Sequence, residues 1–376
     1  MEFRDLKAQY RALQSEIDQA VADVLASGHF IGGPEVAALE RELAAYTGVK
    51  HCITCANGTD ALQLALMAWG LGPGDAVIVP DFTFFSSGEV VAAVGATPVF
   101  VDVCGDTFNI DPAHIGAACA LAREAGLTPR AVVAVDLFGL PANYPAIRAA
   151  CDEQGLLLLE DAAQGFGGAI GDARACSFGD ISTTSFFPAK PLGCYGDGGA
   201  VFTDNDDWAT LIRSYAVHGK GTMKYDNVRV GMNSRLDSVQ AAVLRVKLRA
   251  FEAHEVADVN ERARMYNGLL MGADASALPV VPDGFRSSWA QYTLRLPSAE
   301  ARAALQERCR VAGVPTMVYY PKPMHEQRAF AGCSLALACP VTKRLCQTVL
   351  SLPMGPYLTA EDAHIVSSAI DPSVMR

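Results

Sequence analysis

The sequence has little charge and no excess of positive charge. Of its 376 residues, 19% are charged, and 41 acidic against 30 basic residues give a formal net charge of −11. A chain of this sign is not attracted to phosphate backbones or anionic lipid surfaces unless it carries a local basic cluster, and the sequence contains none. We therefore expect neither a nucleic-acid nor a membrane partner.

Long apolar runs are also missing. No stretch of about 18 uncharged apolar residues occurs, which excludes a typical transmembrane helix, and the first residues lack the basic and apolar regions of a signal peptide. These absences predict a cytoplasmic protein. The eleven cysteines are an odd number spread over a long chain, which indicates reduced thiols rather than a disulfide framework.

Common metal and nucleotide motifs are absent as well. Cys52 and Cys55 form a C-x-x-C pair, but no second pair accompanies it, and the seven histidines have no metal-ligand spacing. We interpret the two cysteines as part of a short buried strand and expect no metal. No G-x-G-x-x-G follows a strand and no G-K-[ST] loop occurs, so the usual nucleotide cofactor sites are unsupported.

Apolar runs of strand length alternate with segments of helical period in the first half of the chain. This βαβ rhythm predicts a mainly parallel sheet covered by helices. The predicted strands are 76–80, 97–101, 131–136, 156–161 and 181–186, and the predicted helices are 60–69, 83–94, 112–125 and 143–154.

The second half of the chain has a different pattern. Residues 233–271 have helical period throughout, and 272–288 are rich in glycine, proline and serine, as in a connection. The rest predicts a smaller α+β domain made of a strand at 291–296, a helix at 299–312, a strand near 316–319 and helices after Val341 and Thr359. We predict two domains, residues 1–245 and 246–376.

One lysine among apolar residues is the most informative feature. Lys190 stands between a predicted strand and the glycine-rich tract 193–199. An amine in a poorly hydrated pocket loses its proton more easily, and it can then attack a carbonyl or hold a cofactor aldehyde as a Schiff base. The alternative is an exposed loop lysine whose stem lies on Phe187.

Two further motifs precede this lysine. Gly58 and Thr59 lie between a predicted strand and a helix, where backbone amides and a hydroxyl suit a phosphate; the alternative is a plain helix cap. Asp161 ends a predicted strand, where open α/β sheets bind ligands. If the ligand is pyridoxal phosphate, this carboxylate keeps the pyridine nitrogen protonated; the alternative is an acid that caps the next helix.

In this order, the phosphate loop, the strand-end acid and the lysine resemble the fold-type I pyridoxal-phosphate aminotransferases, and specifically the DegT/DnrJ/StrS sugar aminotransferases. Six ordered blocks carry the resemblance over almost the whole length: 30–36, 56–62, 80–84, 160–164, the segment around Lys190 and 231–242. The resemblance implies a large α/β/α domain with a mainly parallel sheet and N-terminal helices, followed by a smaller C-terminal α+β domain.

The family pattern implies a role for each matched residue. Lys190 would form the Schiff base with pyridoxal 5′-phosphate and shuttle a proton as general base and acid. The residues that would hold the cofactor are Asp161 at the pyridine nitrogen, Gln164 at the ring hydroxyl, Phe84 on the ring face, Gly58, Thr59 and Ser185 at the phosphate, and Asn233 at the phosphate of the neighbouring subunit. The last role implies a homodimer with two shared sites.

The resemblance also implies the reaction. Related sugar dehydratases carry histidine in place of the Schiff-base lysine, so Lys190 favours transamination. Glutamate would convert the cofactor to pyridoxamine phosphate and leave as 2-oxoglutarate, and a nucleotide-linked keto sugar would then accept the amino group. The tracts 191–199 and 228–231 look closest to enzymes that aminate C3 of UDP-2-acetamido-2-deoxy-3-oxoglucuronate, a step toward bacterial surface polysaccharide such as lipopolysaccharide O-antigen.

Four residues are predicted to contact the sugar substrate. Arg229 would meet the uronate carboxylate, which a guanidinium fork matches in geometry; the alternative is a surface arginine beside an acidic neighbour. Tyr319, Tyr320 and His325 are the others. The chain departs from the family pattern at two positions, where Tyr319 replaces a histidine and Val217 replaces an arginine.

Three functional hypotheses stay open at this point. The first is a sugar aminotransferase acting on this uronate or on another UDP- or dTDP-linked 3-keto or 4-keto sugar. The second is a different pyridoxal-phosphate reaction, such as that of a lyase or dehydratase. The third is a non-catalytic regulator on the same fold, which the joint presence of Lys190, Asp161, Gln164, Ser185 and Asn233 argues against.

Overall fold

The structure is a computed structural model that describes residues 1–223, 225–272 and 274–370. Its α-helices are α1 (Leu6–Ser27), α2 (Pro34–Thr47), α3 (Gly58–Ala68), α4 (Ser86–Ala93), α5 (Ile115–Glu124), α6 (Tyr144–Gln154), α7 (Asp206–Tyr215), α8 (Ser238–Ala250), α9 (Val256–Leu269), α10 (Ala299–Val311), α11 (Pro340–Thr348) and α12 (Ala360–Ala369). Its strands are β1 (His51–Cys55), β2 (Asp75–Pro80), β3 (Thr97–Val101), β4 (Thr128–Val135), β5 (Leu157–Asp161), β6 (Ala169–Ile170), β7 (Ala173–Arg174), β8 (Ile181–Ser185), β9 (Gly199–Thr203), β10 (Phe285–Arg286), β11 (Tyr292–Arg295), β12 (Leu335–Ala336) and β13 (Val349–Leu352).

An eight-stranded sheet in the order β1-β9-β8-β5-β4-β2-β3-β12 forms the centre of the molecule. Each neighbouring pair from β8 across to β12 is parallel, and only β9 runs against its neighbours. The predicted parallel sheet is therefore confirmed.

Helices cover both faces of this sheet. Along β2, Val77 and Val79 pack in one apolar cluster with α3 and α4, whereas Ala76 and Ile78 pack in another with α5 and α6. Alternate residues of a strand point to opposite faces, so a strand buried on both sides reads as a continuous apolar run. This arrangement explains why the strand signals in the sequence were unbroken apolar runs.

All five predicted strands and all four predicted helices of the first half occur, with shifted ends. Two predictions in the second half were wrong. Residues 233–237 are not helical, because Asn233 and Asp237 form isolated bridges to Val217 and Ile31, and α8 begins only at Ser238. The segment near 316–319 is not a strand, because its backbone pairing is limited to a bridge between Met317 and Ser351.

The C-terminal part has an apolar core of its own. It surrounds the antiparallel pair β11 and β13 and includes side chains of α9, α10 and α12. The division at residues 245 and 246 stays a prediction; it falls inside α8, which runs from Ser238 to Ala250. Residues 371–376 of the second predicted domain lie outside the described residues.

The N-terminal helices pack on the long helical segment that follows the sheet. Both α1 and α2 contact α8, and a single π-helical turn, Phe251–Glu255, joins α8 to α9. Within the described part of the chain, every helix is too short or too polar to cross a bilayer. All eleven cysteines are free thiols.

Candidate functional site

A cleft of about 470 Å³ lies at the carboxyl ends of β4, β5 and β8. This volume suits a small-molecule site. The cleft brings together nine of the twelve predicted site residues: Gly58, Thr59, Phe84, Asp161, Gln164, Ser185, Lys190, Tyr319 and Tyr320. The other three, Arg229, Asn233 and His325, do not line it.

The N-termini of two helices meet at one end of the cleft. Helix α3 begins at Gly58 and helix α4 at Ser86, and Thr59 Oγ1 lies 2.7 Å from Ser86 Oγ. A Cβ atom on Gly58 would lie 2.6 Å from the Cβ of Ser185, so only glycine allows α3 to approach β8 this closely. Unpaired amides, hydroxyls and favourable helix dipoles make this corner suitable for a phosphate.

Asp161 is buried at the end of β5, with both carboxylate oxygens hydrogen-bonded. Ser87 Oγ donates to Oδ2 at 2.8 Å, and the backbone N–H of Ala163 donates to Oδ1 at 3.2 Å. Burial raises the pKa of Asp161, while these two hydrogen bonds and the charge of Lys190 lower it. The alternative interpretation, an acid that caps the next helix, is not met, because Asp161 is followed by a turn and then by β6, and the carboxylate lines the cleft.

Gln164 is held in a fixed orientation. Its Oε1 accepts a hydrogen bond from the backbone N–H of Phe138 at 2.8 Å, and its Nε2 donates to the hydroxyl of Tyr320 at 3.0 Å. Phe138 adopts a left-handed conformation, with φ 59°, which turns its N–H toward the amide. The glutamine therefore links the end of β5 to the segment that carries Tyr320.

Lys190 lies in a tight turn after β8, where its N–H donates to the carbonyl of Phe187 at 2.8 Å. Its Nζ lies 6.0 Å from the centroid of the exposed Phe84 ring. Burial lowers the pKa of Lys190; Asp161 raises it and Arg4 lowers it further. The lysine thus lines the cleft rather than lying in solvent along Phe187, and burial makes its amine easier to deprotonate, as a nucleophile or base requires.

The two tyrosines close the other side of the cleft. The ring of Tyr320 lies 6.3 Å from that of Phe84, and the ring of Tyr319 lies 6.2 Å from that of Phe3 in the N-terminal segment. Burial raises the pKa of both phenols. They stay uncharged near neutral pH and act as hydrogen-bonding groups.

His325 anchors the tyrosine segment to the sheet. Its Nδ1 lies 2.7 Å from Asp81 Oδ2, and its backbone N–H donates to Asp81 Oδ1 at 2.8 Å. Cys339 adds a thiol, so that three possible ligand atoms lie within 4.8 Å of one another. A nitrogen and an oxygen 2.7 Å apart share a proton and are too close to be two ligands of a tetrahedral ion.

Arg229 and Asn233 lie on the surface outside the cleft. The Arg229 guanidinium hydrogen-bonds the hydroxyl of Ser214 and lies 5.6 Å from the ring of Tyr215. Asn233 is exposed, and its Oδ1 accepts a hydrogen bond from Arg235. Their predicted roles stay predictions, because within one chain neither side chain reaches the cleft.

Several lining residues were not predicted from the sequence. Thr83 belongs to the block 80–84 and Ser86 begins helix α4 just after it, so hydroxyl residues next to a helix start were the available signal. Gln291 also lines the cleft, and its buried Oε1 has no hydrogen-bond partner among the described residues. Nothing in the local sequence marked Gln291, because β11 brings it to the cleft from the C-terminal core.

A family model described as the DegT/DnrJ/EryC1/StrS aminotransferase family matches residues 11–371. The chain belongs to this family. This match, together with the relatives described below, confirms the predicted family, enzyme class and cofactor.

Two relatives and two solved structures show the range of the similarity. The chain is 44% identical to UDP-2-acetamido-2-deoxy-3-oxo-D-glucuronate aminotransferase of Pseudomonas aeruginosa, over 98% of this chain and 99% of that one. It is 41% identical to UDP-N-acetyl-3-dehydro-alpha-D-glucosamine 3-aminotransferase of Acidithiobacillus ferrooxidans, over 97% and 96%.

The solved structures confirm the fold. A DegT DnrJ EryC1 StrS aminotransferase from Brucella abortus superposes with a TM-score of 0.94 at 46% identity, covering 98% of each chain. A Bacillus subtilis protein, NtdA, solved with bound pyridoxamine phosphate, superposes with a TM-score of 0.84 at 29% identity, over 95% of this chain and 81% of that one. The chain therefore has the predicted fold-type I architecture.

Proposed function

We propose that the protein transfers the amino group of L-glutamate to C3 of UDP-2-acetamido-2-deoxy-3-oxo-glucuronate and releases 2-oxoglutarate. The observation that carries the reaction type is the cleft that joins Lys190, Asp161 and the Gly58 corner. The similarity over nearly the full length to an enzyme named for this sugar supports the substrate.

The residues of the cleft fit pyridoxal phosphate. The corner that a side chain at Gly58 would fill suits the phosphate, with Thr59 and Ser185 as hydroxyl donors. We assign Asp161 to the pyridine nitrogen, Gln164 to the ring hydroxyl, Phe84 to the ring face and Lys190 to the cofactor aldehyde. The bound cofactor supplies an electron sink that stabilises negative charge at the substrate carbon.

The protein's own groups then position and move protons. Lys190 would move a proton between the substrate carbon and the cofactor carbon as general base and then general acid, and the burial that lowers its pKa makes the neutral amine easier to form. Ser87 and Ala163 hydrogen-bond the Asp161 carboxylate and favour its ionised form, against the burial that raises its pKa. Tyr320, oriented by Gln164, presents a neutral hydroxyl to the substrate side of the cleft.

We further propose that the active form is a homodimer in which Asn233 and Arg229 of one subunit complete the cleft of its partner. Both residues lie at the surface of the segment 217–235, outside their own cleft. Asn233 would contact the cofactor phosphate, and Arg229 the uronate carboxylate. Glutamate as the donor, a cytoplasmic location and a place in O-antigen synthesis rest on the family resemblance alone.

Mixed dimers test the shared site. Lys190→Ala and Asn233→Ala chains are each expected to be inactive alone. When they are unfolded and refolded together, about half of the dimers combine both variants, and each of these has one intact site, which predicts about a quarter of the wild-type activity. If the mixture stays inactive while refolded wild type regains activity, each site belongs to a single chain.

The acceptor is tested by comparing two sugars that differ only at C6. The enzyme loaded with the amine form of the cofactor is mixed with UDP-2-acetamido-2-deoxy-3-oxo-glucuronate or with its 6-hydroxyl counterpart, the sugar type named for the Acidithiobacillus relative. We expect the uronate to react at least about tenfold faster, as one charged hydrogen-bonded contact allows. Equal rates would show that the protein does not prefer the uronate, and a faster 6-hydroxyl sugar would assign it to the other acceptor.

The variant Arg229→Met tests whether Arg229 causes the preference for the uronate. We expect it to remove the preference for the uronate while the 6-hydroxyl sugar reacts as before. The matched control is Arg249→Met, an exposed arginine paired with Glu16, which should keep the preference. A loss of rate with both sugars in Arg229→Met would show that this arginine serves the fold or the dimer instead.

A further inference from the structure

A group of charged side chains that do not line the cleft lies against the turn that follows Lys190. We name Arg4, Lys247 and Glu255 the rear cluster. Lys247 is only 1% exposed and Glu255 only 2%, and Arg4 is half-buried. Buried charges are costly unless they are paired and hydrogen-bonded, so two of them, with a third charged side chain, next to one short turn require an explanation that the amino transfer itself does not give.

Both cations of the rear cluster bind backbone carbonyls of this turn. Arg4 Nη2 donates to the carbonyl of Pro191 at 3.3 Å, and Lys247 Nζ donates to the carbonyl of Gly193. The Lys247 ammonium also lies 4.9 Å from the centroid of the Tyr195 ring, a cation–π distance. The turn is thus held at the residues one, three and five positions after Lys190.

Glu255 ties the cluster to three parts of the chain. Its carboxylate accepts hydrogen bonds from Gln9 Nε2 at 2.9 and 3.1 Å and from the Tyr357 hydroxyl at 2.8 Å. It is the last residue of the π-helical turn between α8 and α9, and such turns often place a functional side chain. Glu255 therefore joins the N-terminal helix, the α8–α9 junction and the segment after β13.

Charge balance also links the three residues. Arg4 Nη1 is buried without a hydrogen-bond partner among the described residues, so the charge of Arg4 is compensated through space by Glu255. Burial lowers the pKa of Lys247 to about 8; Glu255 raises it, Arg4 lowers it, and Cys194 raises it. The charged groups that act on Lys190 itself are Asp161 and Arg4.

We propose that Arg4, Lys247 and Glu255 are positioning residues for Lys190, which fix the turn 191–193 from outside the cleft and hold the lysine in the cleft. The proposal rests on the cofactor role assigned to Lys190. It predicts that the cluster acts on Lys190 in two ways, through the rigidity of the turn and through charge.

The charge effect is tested by a visible-absorbance pH titration of the cofactor-loaded protein, which reports the proton on the Lys190 nitrogen. Arg4→Gln removes a positive charge that acts on Lys190 and is expected to raise the midpoint by about half a pH unit. Glu255→Gln removes a charge that acts on Arg4 and Lys247 rather than on Lys190, and is expected to leave the midpoint unchanged. No rise in Arg4→Gln, or the same shift in both variants, would overturn the charge effect.

The rigidity effect is tested without cofactor, by amide hydrogen exchange of residues 190–199. Lys247→Met is expected to speed exchange there by about tenfold, and Lys247→Arg, which keeps the cation, to restore protection. The matched control is Lys7→Met, an exposed lysine paired with Glu2, which should change neither readout. Unchanged exchange in a folded Lys247→Met protein would refute the positioning role.

Failure of the cofactor role of Lys190 and failure of the positioning proposal give different results. If the wild-type protein forms no visible band with pyridoxal phosphate, the cofactor role of Lys190 is wrong, yet hydrogen exchange still tests the contact between the rear cluster and the turn. If the band forms but neither test responds, the rear cluster is a structural feature of the core and Lys190 is positioned by the cleft alone. Should Lys247→Met fail to fold, the midpoint of Arg4→Gln, compared with that of Glu255→Gln, remains decisive.

Discussion

The two halves of the cleft are built in different ways. In the half assigned to the cofactor, the functional groups stand at strand ends and helix starts of one sheet, as Gly58, Asp161 and Ser185 do. In the half assigned to the sugar, Tyr319 and Tyr320 lie on an irregular segment that His325 anchors, and Arg229 lies on the outer surface. The difference teaches that the groups assigned to the chemistry are held mainly by regular elements of the sheet, whereas the groups assigned to the sugar lie on irregular segments.

The largest effect is expected in the cofactor half, from Lys190→Met. The variant loses both the amine that holds the cofactor and the base that moves the proton, so the rate of amino transfer should fall by at least about a thousandfold. Lys190 is not a core residue, so the thermal midpoint of the cofactor-free protein should stay within a few degrees of wild type. Single-turnover kinetics measure the rate of amino transfer, and a thermal melt measures the midpoint. A rate near that of wild type would show that Lys190 takes no part in the mechanism.

Asp161→Asn is expected to lower the rate of amino transfer and, at higher pH, to raise the stability of the cofactor-free protein. Without the negative charge opposite the pyridine nitrogen, the rate is expected to fall about a hundredfold. Burial raises the pKa of Asp161, so the folded protein binds this proton more tightly than the unfolded chain does. The stability of wild type without cofactor should therefore fall as pH rises through the interval between the unfolded and folded pKa values.

The neutral asparagine lacks this titration, so cofactor-free Asp161→Asn should be more stable than wild type above that interval and show a flatter pH dependence. Thermal melts of both proteins over a pH series check the sign. A variant that is less stable at every pH would mean that the hydrogen bonds from Ser87 and Ala163 to the ionised oxygens outweigh the cost of burying the charge.

Gly58→Ala tests the phosphate corner. The added Cβ would meet the Cβ of Ser185 at 2.6 Å, so α3 must move away from β8 at a cost of about 1–3 kcal/mol. Cofactor affinity should fall about tenfold or more, as measured by titration. Gly268→Ala, where nothing lies within 4 Å of the new atom in helix α9, is the control and should be neutral or slightly stabilising. An equal loss of cofactor affinity in Gly58→Ala and Gly268→Ala would show that the corner at Gly58 does not hold the phosphate.

The smallest effect is expected in the sugar half, from His325→Asn. The shorter side chain loses the contact with the buried Asp81 carboxylate, which should cost about 1–3 kcal/mol of stability. The Tyr319–Tyr320 segment then loses its anchor, and KM for the sugar acceptor should rise a few-fold while the glutamate half-reaction keeps its rate. An equal loss in both half-reactions would mean that the two halves of the cleft are not separable in this way.

The same difference explains how much could be predicted from the sequence. Gly58, Asp161 and Lys190 could be recognised because each stands at a boundary between regular elements that its neighbours mark. Gln291 and the rear cluster could not be predicted. Arg4 is far in the chain from Lys247 and Glu255 and meets them only through the packing of the N-terminal segment on the α8–α9 segment, and Gln291 reaches the cleft from the C-terminal core. The bridges at Asn233 and Asp237 likewise override a helical period that looks continuous in the sequence.

The most direct test of the central claim has two parts. The absorbance of the purified, cofactor-loaded protein is followed while L-glutamate is added, and in a separate sample the cofactor is fixed by borohydride reduction and its attachment site is mapped. The account predicts a yellow band that glutamate converts to a shorter-wavelength form, and, in a sample reduced before glutamate is added, cofactor attached to Lys190. A protein that stays colourless with pyridoxal phosphate, or one whose reduced cofactor is found on another lysine such as Lys247, would contradict it.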